Sequence, residues 1–202
     1  MSQDDFTVLL VCTGNLCRSP YAEAALRRRL SEHPSVQCRS AGTSAVPGAG
    51  AARPTIDEGV RQGLDLADHR AALLTETVVT GADLVLTMSR RHRAETVSLS
   101  PRASRRTFTL IEFAALCDDL AEPHLFESRI DFSAPPAERL AELVRLLASR
   151  RGTLPLTSPE KETVVDPYGL PNDRYREMSH QIDAALDPVA EVLLQVLAGA
   201  VR

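Results

Sequence analysis

A cysteine and an arginine stand close together near the start of the chain, in the segment Cys12-Thr13-Gly14-Asn15-Leu16-Cys17-Arg18-Ser19. A thiolate is a strong nucleophile, and the planar guanidinium of Arg18 can bind two oxygens of a phosphate group at once. If the loop between them curls inward, its backbone N–H groups surround the same anion. The pattern therefore indicates attack by the Cys12 sulfur on a phosphate ester.

The other residues of this segment suit a tightly curled loop. Gly14 lets the backbone turn without a Cβ clash, and Asn15 tolerates left-handed backbone conformations. The Ser19 hydroxyl can donate to the Cys12 sulfur and stabilise it as a leaving group in a second step. We expect the phosphate to be bound by Thr13, Gly14, Asn15, Leu16, Cys17 and Ser19.

A general acid is also required, because an unprotonated alkoxide or phenolate leaves poorly. Asp166 is the candidate, in the segment Asp166-Pro167-Tyr168. Pro167 restricts the backbone of Asp166 toward extended conformations and so directs its carboxyl group. Tyr168 can line the pocket and contact an aromatic substrate ring. The same aspartate can then activate water against the cysteinyl-phosphate.

Cys17 can take part in redox chemistry as well as in binding. In a curled loop its sulfur can meet that of Cys12 as a disulfide, which would protect Cys12 from further oxidation and switch activity off reversibly. The alternative is that Cys17 only fills space beneath the loop. The sequence leaves both interpretations open.

The elements that position these residues follow from hydrophobic patterning. The apolar run 6–11 is typical of a strand buried on both faces. Ser19 is a good N-cap for a helix over 20–30, with Pro20 at its first position. We expect further strands at 36–40, 82–88 and 107–110. Further helices are expected at 54–63, 73–80, 90–97, 112–116, 136–150 (capped by Ser133) and 173–197, where Pro188 is expected to kink or divide the last helix.

Strands that alternate with helices indicate an α/β fold. We expect a single three-layer domain over residues 1–202, with a central four-stranded parallel sheet and helices on both faces.

Composition excludes several classes of protein. The net charge of −4 argues against a nucleic-acid binder, and no apolar run is long enough to cross a membrane. The acidic N-terminus lacks a secretory signal, so we expect a cytoplasmic protein with reduced thiols. No His/Cys cluster has metal-ligand spacing, so we expect no metal and no cofactor. The basic run 90–93, which includes His92, is expected to be solvated surface.

The segment 12–20 closely resembles the signature loop of the low-molecular-weight protein tyrosine phosphatases. Segments 40–43, 68–70 and 82–88 resemble other landmarks of that family, and Asp166-Pro167-Tyr168 resembles its general-acid loop. The resemblance covers roughly 6–112 and 163–200, so 117–162 looks like an insertion. It implies hydrolysis of phosphotyrosine in a phosphorylated protein partner, by a monomer or weak dimer.

The resemblance also bears on the walls of the pocket. Many members carry a large aromatic residue in the loop after the second strand, where Val46 is the nearest match and the expected substrate contact. Gly169 follows Tyr168 where some relatives have a second aromatic residue. His69 and Asn15 resemble the polar contacts that support the loop. The wall is thus thinner than in relatives that prefer phosphotyrosine strongly.

Two other functions stay open. An arsenate reductase on the same fold also begins with a thiolate in an anion-binding loop, but thioredoxin-linked reductases carry two more cysteines shortly after the third strand, and 88–104 has none. A non-catalytic phosphate-binding module would be expected to lose Cys12 or Asp166, and both are present.

Overall fold

The computed structural model describes residues 5–120, 129–153, 158 and 160–199. Within this part of the chain, four strands form one parallel sheet in the order β2-β1-β3-β4. The strands are β1 (Phe6–Cys12), β2 (Val36–Gly42), β3 (Leu84–Thr87) and β4 (Thr107–Thr109). The helices are α1 (Arg18–Arg29), α2 (Arg53–Arg61), α3 (Glu76–Thr80), α4 (Arg90–Leu99), α5 (Leu110–Asp119), α6 (Pro136–Arg150) and α7 (Asn172–Ala198), with a 3₁₀ helix at Pro101–Arg106.

The central strand β1 is buried along its whole length and divides the core into two layers. Val8 and Leu10 face the larger layer, which includes residues of α1, α5, α6 and α7. Leu9 and Val11 face the smaller layer, with residues of α3 and the 3₁₀ helix. The predicted α/β fold, with a four-stranded parallel sheet and helices on both faces, is confirmed.

The strand order places the end of β1 where ligands bind in this class of sheet. β1 pairs with β2 on one side and with β3 on the other. The chain connections therefore leave in opposite directions around β1, which opens a crevice outside the carboxyl ends of the strands. Cys12 is the last residue of β1 and lies at this edge.

Three local predictions are wrong. α1 begins at Arg18, with Cys17 at the cap position and no side-chain cap, so Ser19 lies inside the first turn. Pro135, not Ser133, precedes α6, because the Ser133 hydroxyl donates to Asp131 instead. α7 continues through Pro188, so the predicted division is wrong while a kink there stays a prediction, and the helix ends before Gly199, whose φ of 65° is left-handed.

The described parts of segment 117–162 join the main core. Leu140, Leu143 and Leu147 of α6 are fully buried there. That 117–162 is an insertion stays a prediction, and its residues 121–128, 154–157 and 159 lie outside the described part of the chain. None of the described helices combines the length and apolarity needed to cross a membrane.

Candidate active site

The loop between β1 and α1 forms the floor of a cavity of about 260 Å³. Asp166 and Tyr168, which lie before α7, complete its wall. Most of the predicted site residues therefore come together, whereas Asn15 and Ser19 are buried outside the cavity lining and Val46 is exposed away from it. The cavity is lined by Cys12, Thr13, Gly14, Leu16, Cys17, Arg18, Asp166 and Tyr168.

Asn15 holds the curled loop in shape. It is the one residue other than glycine with a positive φ (54°) in the described part of the chain, and this conformation is costly for most side chains. Its Nδ2 donates to Ser19 Oγ at 2.9 Å and to Ser40 Oγ at 2.8 Å. Its Oδ1 accepts from the Ala72 N–H at 2.8 Å. His69 Nε2 lies 2.8 Å from its backbone oxygen, so the loop is fixed from several sides.

Gly42 of β2 permits the close approach of this loop. A Cβ at position 42 would lie 2.4 Å from the Thr13 oxygen and 2.8 Å from the Asn15 nitrogen. Both contacts are far inside van der Waals distance and involve backbone, which cannot rotate away. A side chain at position 42 would therefore displace the loop.

The Ser19 hydroxyl lies 3.0 Å from the Cys12 sulfur, and both residues are buried. Because Asn15 Nδ2 already donates to Ser19 Oγ, the serine proton is available for the sulfur. The other acceptor, the Ala41 oxygen, is more distant at 3.5 Å. Ser19 thus donates to Cys12, which stabilises negative charge on the sulfur.

Arg18 and Asp166 meet at the cavity. Arg18 NH2 donates to Asp166 Oδ2 at 2.6 Å, and the Arg18 side chain is buried while that of Asp166 is half exposed. The predicted nucleophile Cys12, the predicted phosphate ligand Arg18 and the predicted acid Asp166 therefore line the same cavity. Such an arrangement can bind a phosphate group next to a thiolate and deliver a proton to the departing oxygen.

His92 is a site residue that the sequence analysis missed. It is buried, not solvated, with Nε2 2.8 Å from Thr13 Oγ1 and Nδ1 2.9 Å from Ser89 Oγ. Burial, and then the charge of Arg18, lower the pKa of His92 to about 4, so it is neutral at pH 7. The signal available in the sequence was the spacing of His92 and Thr96, four residues apart on the buried face of α4.

Cys17 is buried at the lining of the cavity, near the side chains of Thr55 and Tyr175. Burial raises the pKa of its thiol to about 11, so it adds no negative charge near Cys12 at neutral pH. Both cysteines line the same cavity and both thiols are free. A disulfide between them stays a prediction. Among the described residues, no group of three or more His, Cys, Asp or Glu side chains is arranged to hold a metal ion.

Comparison with known proteins gives a consistent result. The family model described as low molecular weight phosphotyrosine protein phosphatase matches residues 7–149. A probable low molecular weight protein-tyrosine-phosphatase EpsP of Ralstonia nicotianae is 38% identical over 118 residues, which are 58% of this chain and 78% of the relative. A protein-arginine-phosphatase of Bacillus subtilis is 36% identical over 146 residues, which are 71% of this chain and 95% of the relative.

Solved structures extend the match to almost the whole chain. The low molecular weight protein tyrosine phosphatase from T. tengcongensis superposes with a TM-score of 0.67 at 27% identity, covering 93% of this chain and 99% of that one. The YwlE arginine phosphatase from Geobacillus stearothermophilus gives a TM-score of 0.69 at 25% identity, with 98% of each chain covered. These alignments reach beyond residue 149, where the family model stops.

Proposed function

This chain belongs to the low molecular weight phosphotyrosine protein phosphatase family and is a hydrolase of that class, and we propose that Cys12 is its nucleophile and protein phosphotyrosine its substrate. The observation that carries the proposal is the meeting of Cys12, Arg18 and Asp166 at one cavity. The buried Cys38 and Cys117 do not line that cavity, which favours hydrolysis over a reductase that relays oxidation through further cysteines.

The first step transfers the phosphoryl group to the enzyme. Arg18 and the loop N–H groups bind the phosphate oxygens while the Cys12 thiolate attacks phosphorus. The bond between phosphorus and the substrate oxygen breaks, and its electron pair stays on that oxygen. The departing oxygen takes the proton of Asp166, which leaves a neutral alcohol or phenol and a cysteinyl-phosphate.

The second step regenerates the enzyme. Asp166, now a carboxylate, accepts a proton from water, whose oxygen attacks phosphorus. The bond between phosphorus and Cys12 breaks, and its electron pair returns to the sulfur. The Ser19 hydroxyl, 3.0 Å from that sulfur, stabilises the returning charge. The sum of both steps is hydrolysis of a phosphate monoester to an alcohol and inorganic phosphate.

The cavity wall supports an aryl phosphate as the first substrate class. Leu16 and Tyr168 supply apolar surface along which a phenyl ring can pack. Phosphoarginine is the second candidate, because the protein-arginine-phosphatase of Bacillus subtilis is matched over 95% of its length. The guanidinium N–H groups of a phosphoarginine substrate need an acceptor near the phosphate, and the carboxylate of Asp166 lies at the cavity to accept from them.

The test compares two peptides of the same sequence, one phosphorylated on tyrosine and one on arginine. We expect the purified protein to release phosphate from the phosphotyrosyl peptide with the higher kcat/KM. Cys12→Ser should abolish this release, and Asp166→Asn should reduce it by about 10²-fold or more. Full activity of Cys12→Ser would contradict the mechanism, whereas preference for the phosphoarginyl peptide would replace the substrate and keep the mechanism.

We further propose that the protein acts in the cytoplasm as a monomer or weak dimer, with a phosphorylated protein as its partner. The free thiols of all four cysteines support a reducing compartment. Size-exclusion chromatography with light scattering tests the oligomeric state. Fractionation of cells tests the location.

A further inference from the structure

The segment that carries Asp166 is tied to the body of the protein just before the aspartate. The Val164 N–H donates to the Met88 oxygen at 3.0 Å, beyond the end of β3. The Val165 N–H donates to Oε1 of Gln181 on α7 at 2.9 Å. Val164 is fully buried, Val165 is half-buried against the core, and Asp166 is exposed at the cavity. The last hydrogen bond that the backbone makes before Asp166 is therefore to a side chain, that of Gln181.

The contacts after Asp166 hold the loop mainly to itself. Pro167 has no N–H, the Tyr168 N–H donates to Asp166 Oδ1 at 3.3 Å, and the Leu170 N–H closes a turn onto the Pro167 oxygen at 2.9 Å. Further along, the backbone of Gly169 interacts with the side chain of Tyr175. Within the described residues, two hydrogen bonds tie positions 165 and 166 to groups outside the loop: the Val165 N–H donates to Gln181, and Asp166 accepts from Arg18.

These two outside contacts behave differently during the reaction. Arg18 must bind the oxygens of the phosphate, so its donors are divided between the substrate and Asp166. Gln181 accepts a hydrogen bond from the backbone of Val165 and lies apart from the cavity lining. Its hold on the loop is therefore independent of whether phosphate is bound.

We propose that Gln181 is a positioning residue for the general acid: its side-chain oxygen holds the Val165 backbone and thereby sets where the Asp166 carboxyl reaches the departing oxygen. The proposal rests on the proposed function, because it assigns to Asp166 the role of acid. Small displacements of a reacting group are costly, since about 1 Å can lower a rate by about 10²-fold. Gln181 itself touches no substrate and takes no part in proton transfer.

If Gln181 positions the acid, replacing it should lower kcat/KM by an amount that depends on the leaving group of the substrate. A phenol of ordinary acidity needs the proton of Asp166 to depart, whereas a dinitrophenol departs as its anion without help. Gln181→Met keeps the length of the side chain and removes the acceptor. We expect it to lower kcat/KM for phenyl phosphate about tenfold and to leave kcat/KM for 2,4-dinitrophenyl phosphate close to that of the wild type. The ratio kcat/KM reports the steps from substrate binding to release of the phenol, and these are the steps in which Asp166 acts as an acid.

Two variants separate the hydrogen bond from the side chain that makes it. Gln181→Glu restores an acceptor oxygen at the same distance along the side chain, so it should recover most of the activity on phenyl phosphate. Gln181→Lys, which presents a donor to the Val165 N–H, should behave like Gln181→Met. If Gln181→Met fails to fold, Gln181→Lys supplies the same comparison. Thermal unfolding and circular dichroism establish that each variant is folded.

Gln195 provides the matched control. It lies on the same helix and is half-buried like Gln181, but its amide donates to Glu191 one turn earlier and not to the acid loop. Gln195→Met should leave both substrates unaffected. In an Asp166→Asn background, Gln181→Met should cause no further loss, because the group it positions no longer carries the proton.

The outcomes distinguish this inference from the proposed function. Equal losses on both esters, a loss in Gln195→Met of the same kind, or a further loss in the Asp166→Asn background would overturn the role of Gln181. A wild type that hydrolyses both esters and a Gln181→Met variant that matches it on phenyl phosphate would overturn this inference alone. A wild type that hydrolyses neither ester would overturn the proposed function and this inference with it.

Discussion

The guanidinium of Arg18 donates to the carboxylate of Asp166 over 2.6 Å, although 148 positions of the chain separate them. Arg18 is buried at the first position of α1, and Asp166 is half exposed before α7. The pair therefore joins the floor of the cavity to its rim. Because a guanidinium has a planar fork of N–H donors, Arg18 can hold a phosphate group and the acid beside one another.

Arg18→Lys tests this geometry. Lysine keeps the positive charge but supplies a compact ammonium group in place of the fork, so it cannot bind two phosphate oxygens and Asp166 together. We expect kcat/KM for p-nitrophenyl phosphate to fall about 100-fold, as for the loss of charge-assisted hydrogen bonds. Arg102→Lys, at an exposed position of the 3₁₀ helix, should have no effect. Wild-type activity in Arg18→Lys would contradict a role for the fork.

Ser19→Ala tests the donor to the nucleophile. The hydroxyl lies 3.0 Å from the Cys12 sulfur, and its loss should slow the second step most, because there the sulfur departs as an anion. We expect kcat to fall about tenfold, with a burst of phenol release as cysteinyl-phosphate accumulates. Rapid-quench kinetics measure the burst. Ser98→Ala, whose hydroxyl donates to the Ala94 oxygen on the exposed side of α4, is the control, and a slow first step without a burst would contradict this assignment.

The sequence predicts the nucleophile, the clamp and the strand before them because their spacing is local. Cys12 and Arg18 occupy the two ends of one short loop, and the short apolar run 6–11, rich in β-branched residues, is typical of the buried strand found there. The same local logic fails for Ser19. Its helix-capping preference predicts a cap, but the loop needs its hydroxyl beside Cys12, so the helix starts two residues earlier without a side-chain cap.

Residues that act through tertiary contacts leave weaker signals. His92 lies in a run of arginines that suggests exposed surface, and it is buried because α4 packs its face against Thr13. Gln181 is an ordinary polar residue in a long helix, and its contact with Val165 depends on how α7 crosses the acid loop. The spacing of His92 and Thr96 indicates a buried helix face, but spacing along the chain does not specify which residues His92 or Gln181 contacts.

Asn15 allows its backbone and side-chain contributions to be separated. Asn15→Ala combines a strained left-handed φ of 54° with the loss of the side-chain hydrogen bonds, and we expect it to lower the free energy of unfolding by about 3 kcal/mol. Asn15→Gly removes the same hydrogen bonds but accepts this φ, so it should be less destabilising by about 1 kcal/mol. Urea unfolding measures both. Equal stability of the two variants would contradict the strain at this position.

Oxidation by hydrogen peroxide tests the two cysteines of the loop. Peroxide oxidises the Cys12 thiolate to a sulfenic acid, and the Cys17 thiol then condenses with it to a disulfide, releasing water. With excess peroxide, we expect inactivation that dithiothreitol reverses in the wild type but not in Cys17→Ser, where the sulfenic acid finds no thiol and is oxidised further to a sulfinic acid. Because burial raises the pKa of Cys17 to about 11, the condensation should speed up as pH rises toward that value. Cys38→Ala should behave like the wild type, and full recovery of Cys17→Ser would exclude the disulfide.

The buried His92 makes stability depend on pH in the acid range. Burial and the nearby Arg18 lower its pKa to about 4 in the folded protein, although Glu95 and Asp166 act in the opposite direction. The unfolded chain has an ordinary histidine with a pKa near 6.5. Between these two values the unfolded state binds a proton that the folded state does not, so stability falls as the pH falls. The loss from this residue amounts to about 3 kcal/mol once the pH is below 4.

His92→Gln tests this dependence, because glutamine can still bond to Thr13 and does not titrate. Its free energy of unfolding, measured with urea between pH 7 and pH 4, should decline less steeply than that of the wild type. The exposed His180 is the control, and His180→Gln should retain the steep decline. A wild-type slope in His92→Gln would mean that other groups carry the dependence. A shallower slope, found with activity retained at pH 7, would show that the neutral ring is the form that supports Thr13 in the loop.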